Sequence, residues 1–278
     1  MDIDPFAILA SLDIHDAASA TRVTGGADTL IWRVEHEGNT YALRLFRAEQ
    51  KEPARREAVA MQAAASVAPV PKIIKQGLWQ DRPVVLLEWC EGEPLLIYAL
   101  QHPESIPTLG VEFGRLHARI NQIPAPPDLA PPNIILDLAQ HHDPVLAERL
   151  RALPLSPPML LHLDYHPLNV LTDGSRITAV IDWVNTLPGD PRADFARSAA
   201  IFRIAPVTNR VLPVNARRML ARAWRQGYLE VAGSLPDMAP FYAIVGTAML
   251  PEFAPRVPSP EQLNPLRRWI RYWKHCAI

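Results

Sequence analysis

The sequence predicts an α+β chain in two lobes, an N-terminal antiparallel sheet carrying one main helix and a C-terminal lobe that is mostly helical. Three observations point there. Short apolar or alternating runs at 30–35, 41–46, 72–78 and 83–89 read as strands. After about residue 91 the period lengthens to that of a helix, as in Leu109, Phe113, Leu116 and Ile120. Strand-like runs return only near 159–181, where they bracket a loop rich in polar side chains.

Composition narrows the class. A hydrophobic fraction of 49% in 278 residues is ample for a sizeable core. No apolar run reaches the roughly 18 residues of a membrane span, and the start, Met-Asp-Ile-Asp-Pro-Phe, lacks the basic and apolar regions of a secretory signal. Cys90 and Cys276 are the only cysteines and lie far apart, so a disulfide framework is not expected and a reducing cytoplasm is the default. A net charge of -1 gives no reason to expect nucleic acid or an anionic membrane as partner. The 29 prolines, about twice the usual share, sit between periodic segments, as in 124–132, and read as stiff loops and helix starts.

In chain order, residues 4 to 18 predict a short helix with Asp4 as cap and Pro5 in its first turn. Strands follow at 21–24 and 30–35, separated by Gly25-Gly26-Ala27-Asp28-Thr29. A glycine pair between two strands lets backbone N–H groups approach a phosphate that a Cβ would obstruct. In the strand from Tyr41 to Phe46, alternation puts Ala42 and Arg44 on one face. An alanine-rich helix over 51–68, stopped by Pro69 and Pro71, carries Glu57 early. Two more strands lead to Glu88-Trp89-Cys90-Glu91-Gly92-Glu93-Pro94, a run of turn formers placed as the boundary between lobes 1–90 and 91–278.

Beyond it, a helix around 109–120 carries one apolar stripe, with His117 read as structural. His141-His142-Asp143 reads as a loop and helix cap, since adjacent histidines point to different faces. Further helices are expected near 213–232, 237–250 and 260–275, the last opened by Ser259-Pro260-Glu261.

The polar loop carries the chemistry. It runs His162-Leu-Asp164-Tyr-His166-Pro-Leu-Asn169, and the apolar run Ile177 to Ile181 ends on Asp182-Trp183. Hairpin logic folds Asp182 back towards Asp164 and Asn169. Two carboxylates and an amide at one sheet edge suit phosphoryl transfer. Mg2+ prefers oxygen ligands and usually takes only one or two from the protein beside a triphosphate, which Asn169 and Asp182 can supply. Asp164 is then left to orient the attacking hydroxyl and accept its proton. A metal-dependent hydrolase built on His162, Asp164 and His166, or a nucleotide-binding pseudokinase, are the alternatives.

His-x-Asp-x-His-Pro-x-Asn with Ile-Asp-Trp resembles the aminoglycoside phosphotransferase and choline-kinase-like family of small-molecule kinases, which have the protein-kinase-like fold. Trp183 and Val184 stand where a protein kinase has Phe-Gly, and no Ala-Pro-Glu follows. The resemblance implies ATP or GTP with Mg2+, and a small-molecule hydroxyl as acceptor. It implies that Gly25 and Gly26 cover the phosphates and that Arg44 takes the place of the phosphate-pairing lysine, with Glu57 as its ion-pair partner. Arginine remains charged and can grip phosphate with a two-pronged fork. The hinge around Glu88 and Cys90 would offer backbone groups to the nucleotide base. Asp190 and Asp194, in Gly-Asp-Pro-Arg-Ala-Asp-Phe-Ala, would support the catalytic loop. From Val184 onward there are 13 Lys and Arg against 6 Asp and Glu, and 13 minus 6 gives +7. A polycationic aminoglycoside prefers carboxylates around it, so a neutral or anionic hydroxyl compound is expected.

Overall fold

The computed structural model describes residues 3–23, 29–129, 133–204, 213–256 and 259–277. Helix α1 spans Pro5–Ala10, and the Asp4 side chain accepts from the Phe6 N–H at 2.9 Å, as the cap pattern predicts. It stops well short of residue 18. Asp13 takes a φ of 56°, and a right-handed helix cannot continue through that backbone.

Five antiparallel strands follow: β1 (Ser19–Val23), β2 (Leu30–His36), β3 (Asn39–Leu45), β4 (Ile73–Trp79) and β5 (Arg82–Glu88), in the order β1-β2-β3-β5-β4. Alternation along β3 and β5 divides the sheet into two faces. Leu43, Leu45, Val84 and Leu86 bury against Ile8 and Leu9 of α1. Ala42, Val85 and Leu87 face the other way, into a second core shared with helix α2 (Lys51–Ala64) and with the C-terminal helices. Arg44 stands on this second face, as the spacing predicts. Helix α2 ends four residues early, because Ala65 to Ala68 close in tight turns onto Met61 and Ala64 before Pro69.

Past the hinge, strand β6 (Glu93–Pro94) leads into helices α3 (Leu95–Gln101) and α4 (Ile106–Ile120). Leu109, Phe113, Leu116 and Ile120 of α4 are all buried. Helix α5 (Ile134–His142) includes both His141 and His142, so that pair closes a helix and is not a loop. Asp143 caps the next helix, α6 (Pro144–Arg151), accepting from the Leu146 N–H at 3.2 Å. Strand β7 (Met159–Leu161) pairs with β10 (Leu187–Gly189), while β8 (Val170–Thr172) and β9 (Ile177–Val180) form the expected hairpin beside β6. Among the described residues, four helices follow: α7 (Pro191–Ile204), α8 (Val214–Ala232), α9 (Met238–Phe253) and α10 (Asn264–Ala277). The turn Pro260–Leu263 is 3-10, so the last predicted helix starts late. Among the described residues, no helix is long and apolar enough to cross a membrane.

Helices α4 and α8 touch backbone to backbone through two glycines. A Cβ on Gly114 would stand 2.0 Å from the Trp224 carbonyl oxygen, and one on Gly227 1.9 Å from that of Val111. Neither neighbour is a side chain that can swing aside. Gly227→Ala should therefore cost about 2 kcal/mol or more by overpacking, read as a lower urea midpoint at unchanged slope. A midpoint equal to wild type would contradict the contact.

Candidate active site

The site begins in the loop between β7 and β8, and its backbone is strained. Leu163 has a φ of 58°, in the left-handed region that a bulky residue rarely enters. The compensation comes from Asp194 on α7. Its carboxylate accepts from the N–H groups of His162 at 2.7 Å and Leu163 at 2.9 Å. It also accepts from the Asn121 amide at 2.9 Å, and the His117 ring lies 3.2 Å away. Burial pushes the Asp194 carboxyl up, but His117, Asn121 and His162 outweigh it and hold its pKa at about 2. The supporting role expected for Asp194 thus has a physical basis. Asp190 supports from further out, locked to Arg192 at 2.8 Å and to the Ser156 N–H at 2.8 Å.

Asp164 and Asn169 meet across the same loop. The Asn169 amide nitrogen donates to the Asp164 carbonyl at 3.1 Å and to its carboxylate at 3.2 Å. His166 Nε2 lies 3.5 Å from the other carboxylate oxygen. Burial pushes the Asp164 pKa up, yet His166, Arg197 and His162 bring it to about 2, so the group is a carboxylate at neutral pH. His162 is buried, and burial keeps its pKa low. Its Nδ1 accepts from the Asp164 N–H at 3.2 Å and its Nε2 faces the Ile181 carbonyl at 3.2 Å. Both ring nitrogens are thereby engaged in holding the loop to the end of β9. That use removes His162 from the ligand set of a metal-dependent hydrolase, and no group of three or more His, Cys, Asp or Glu suited to a metal occurs among the described residues.

Asp182 arrives from β9 with φ 63° and ψ 62°, a second left-handed residue. The turn turns its carboxylate towards the sheet, where Arg44 takes it. Arg44 Nη2 donates to Asp182 at 2.8 Å, Nη1 to Glu57 at 2.6 Å, and Nε to the Thr29 hydroxyl at 3.0 Å. Glu57 also accepts from the Trp183 N–H at 3.1 Å. Burial opposes the Arg44 charge, but Glu57 and Asp182 outweigh it and hold its pKa above the ordinary value. The ion pair read from the sequence is present. The bond to Asp182 and the bond to Thr29 were not foreseen, because nothing local in the sequence marks them.

At the hinge, Glu88 ends β5 with its N–H on the Lys72 carbonyl at 2.9 Å. Cys90 follows half-buried, with burial and the nearby Glu88 and Glu91 raising its thiol pKa to about 11. Gly92 has a φ of 125°, and a Cβ there would meet Thr178 Oγ1 at 2.6 Å. Thr178 donates to the Glu91 carbonyl at 2.7 Å, which pins the hinge against β9. Gly25 and Gly26 lie outside the described residues.

The oxygen-bearing set fits a hard cation. The Asn169 nitrogen is committed to Asp164, which leaves its amide oxygen to offer, and the Asp182 carboxylate is partly exposed. His117 and Asn121, which sequence reasoning did not assign to the site, had a signal: two polar residues four apart, one within the mostly apolar last turns of α4 and one at its C-terminal cap.

A family model for the phosphotransferase enzyme family (APH) matches residues 19–241. The chain belongs to that family. Solved structures of the same fold include a candidate aminoglycoside phosphotransferase of Ralstonia eutropha JMP134, 17% identical with a TM-score of 0.69, covering 99% of this chain and 97% of the other. A thermostable mutant of aminoglycoside phosphotransferase APH(4)-Ia, in ternary complex with AMP-PNP and hygromycin B, is 16% identical with a TM-score of 0.67, covering 97% and 96%. Amicoumacin kinase hAmiN, in complex with AMP-PNP, Ca2+ and Ami, is 14% identical with a TM-score of 0.64, covering 92% and 88%. At these identities the likeness establishes the kinase-like fold. No curated protein matches the sequence with significance.

Asp194 links the site to stability. Its pKa falls on folding from about 3.8 to about 2, so its contribution is fully present above about pH 4 and is lost as the pH falls through about 2. Wild type should lose on the order of 2 kcal/mol across that window through this group alone. Asp194→Asn should be less stable at pH 7 and show a shallower loss between pH 4 and 2 in urea titrations. An unchanged pH profile in the variant would contradict the assignment.

Proposed function

We propose that the protein moves the terminal phosphate of ATP (or GTP) to a hydroxyl of a small molecule, with residues 1–90 holding the nucleotide and 91–278 holding the catalytic loop and acceptor. The observation that carries this reading is the convergence of Asp164, Asn169 and Asp182 with the Arg44–Glu57 pair. Family membership and the nucleotide complexes of the structural neighbours support it.

Arg44 would meet phosphate oxygens with the N–H bonds left beyond those given to Thr29, Glu57 and Asp182, and Glu57 would fix the guanidinium from behind. The glycine pair Gly25-Gly26 would lie over the phosphates, and the backbone at Glu88 and Cys90 would meet the base. Asn169 and Asp182 would hold Mg2+, which when bound neutralises charge on the triphosphate. Asp164 orients the acceptor hydroxyl. As the new oxygen–phosphorus bond forms and the bridge to the β-phosphate breaks, the hydroxyl proton passes to the Asp164 carboxylate. A carboxylate with a pKa of about 2 is a weak base, so its main service is positioning, with proton transfer late. The acceptor is a neutral or anionic hydroxyl compound, on the strength of the basic C-terminal region.

The test is ADP release across a panel of hydroxylated metabolites and antibiotics. Asp164→Asn should lower turnover on the best acceptor at least about a hundredfold, with AMP-PNP affinity by calorimetry changed less than about threefold. Turnover near wild type would remove Asp164 from its role. Best turnover on kanamycin-like amines would overturn the acceptor class.

A further inference from the structure

A cavity of about 1290 Å3 lies among α7, α8, α9 and α10. It exceeds the roughly 300–1,000 Å3 of most ligand sites. Four arginines line it: Arg217, Arg218 and Arg225 from α8 and Arg268 from α10. No Asp or Glu occurs among the described residues that line it. Its walls are otherwise mostly apolar, with Phe202, Tyr242, Trp224 and Trp269 as buried aromatic residues of the lining. Both indole N–H groups are already used, on His117 at 3.3 Å and on the Tyr242 carbonyl at 3.1 Å, so the rings offer the cavity their apolar surface.

The cavity adjoins the catalytic loop through α7. Arg197 on that helix donates to the Leu163 carbonyl and pairs with Glu252 of α9 at 2.8 Å. Ala199 and Phe202, two and five residues further along α7, form a wall of the cavity. Phe202 packs edge-on against Phe113, which stacks on Tyr165, the neighbour of Asp164. An acceptor lying in the cavity is thus bounded by the helix that braces the loop presenting Asp164.

We propose that this cavity binds an acceptor bearing an oxyanion, a carboxylate or a phosphate, on an apolar body of ring size, with its hydroxyl turned towards Asp164. The inference rests on the phosphotransferase reading and sharpens it from neutral or anionic to anionic. Arginine forks match carboxylate and phosphate in geometry as well as charge. Arg225 is partly held by the Tyr242 hydroxyl. Arg218 and Arg268 are exposed residues of the cavity lining, and no acidic residue is among the described residues that line it with them. A polycationic acceptor would have to enter against four like charges with no carboxylate to receive it, which is the repulsive half of a specificity.

The experiment measures binding directly, by tryptophan fluorescence and calorimetry on the full chain with AMP-PNP present. The probes share a ring and sugar hydroxyls and differ in charge: phenyl glucuronide, phenyl glucoside 6-phosphate, phenyl glucoside and phenyl glucosaminide. The two anions should bind at least about tenfold more tightly than the neutral glucoside, and the amine should bind most weakly. Which anion binds more tightly separates carboxylate from phosphate as the natural group. Raising salt from 0.05 to 0.5 M, about a threefold fall in Debye length, should weaken the anions and leave the glucoside nearly unchanged. The double variant Arg218→Gln, Arg268→Gln, with its unfolding midpoint checked, should erase most of the anion preference.

Equal binding of neutral and anionic probes, tighter binding of the amine, retention of the preference in the double variant, or no binding by any probe at millimolar concentration would each overturn the proposal. The phosphotransferase reading has its own readout in the same samples. If AMP-PNP binds and another acceptor class drives ADP release, the cavity assignment fails and the kinase reading stands. If AMP-PNP does not bind, the kinase reading fails whatever the probes do.

Discussion

One buried guanidinium holds the two halves of the site together. Arg44 comes from the third strand of the N-terminal sheet, Glu57 from the helix beneath that sheet, and Asp182 from the end of a hairpin in the C-terminal part. A buried ion pair is expensive unless its hydrogen bonds are complete. Here three guanidinium nitrogens each have a partner, and Glu57 also takes the Trp183 N–H. The arrangement places a cation over the corner where Asp182 turns. Sheet, helix and hairpin are therefore tied together at Arg44.

The second constraint is stored in the backbone. Leu163 and Asp182 both take left-handed conformations that cost of order 1 kcal/mol or more for residues with side chains. Asp194 offsets the first by accepting both neighbouring N–H groups, and His162 joins the loop to the Ile181 carbonyl beside the second. Strain of this kind persists only where the surroundings over-determine it. Asp194 itself is braced by Asn121, which the Tyr228 hydroxyl holds at 2.9 Å, so the α4–α8 contact extends the scaffold outward.

Much of this was legible in the chain. The period-two runs placed all five strands of the sheet, and the spacing from His162 to Asn169, followed by Asp182, picked out the polar cluster. The Arg44–Glu57 pair followed from strand alternation together with the family resemblance. What stayed hidden was set by tertiary contact. The stop of α1 at Ala10 follows from a left-handed Asp13, and aspartate gives no unambiguous sign of that conformation. Helix α3 is one of only seven residues, too short to show a period. The Arg44–Asp182 bond joins residues 138 apart, and no local pattern encodes it. The basic excess after Val184 was visible as a sum, but only the fold shows that four of its arginines share one cavity.

In the proposed kinase, Asp182 is a metal ligand presented by the hairpin and steadied by Arg44. Calorimetry of AMP-PNP binding with and without Mg2+, in wild type and Asp182→Asn, measures that most directly. The account predicts that Mg2+ tightens AMP-PNP binding at least about tenfold in wild type and hardly at all in the variant. Equal tightening in both proteins would contradict it.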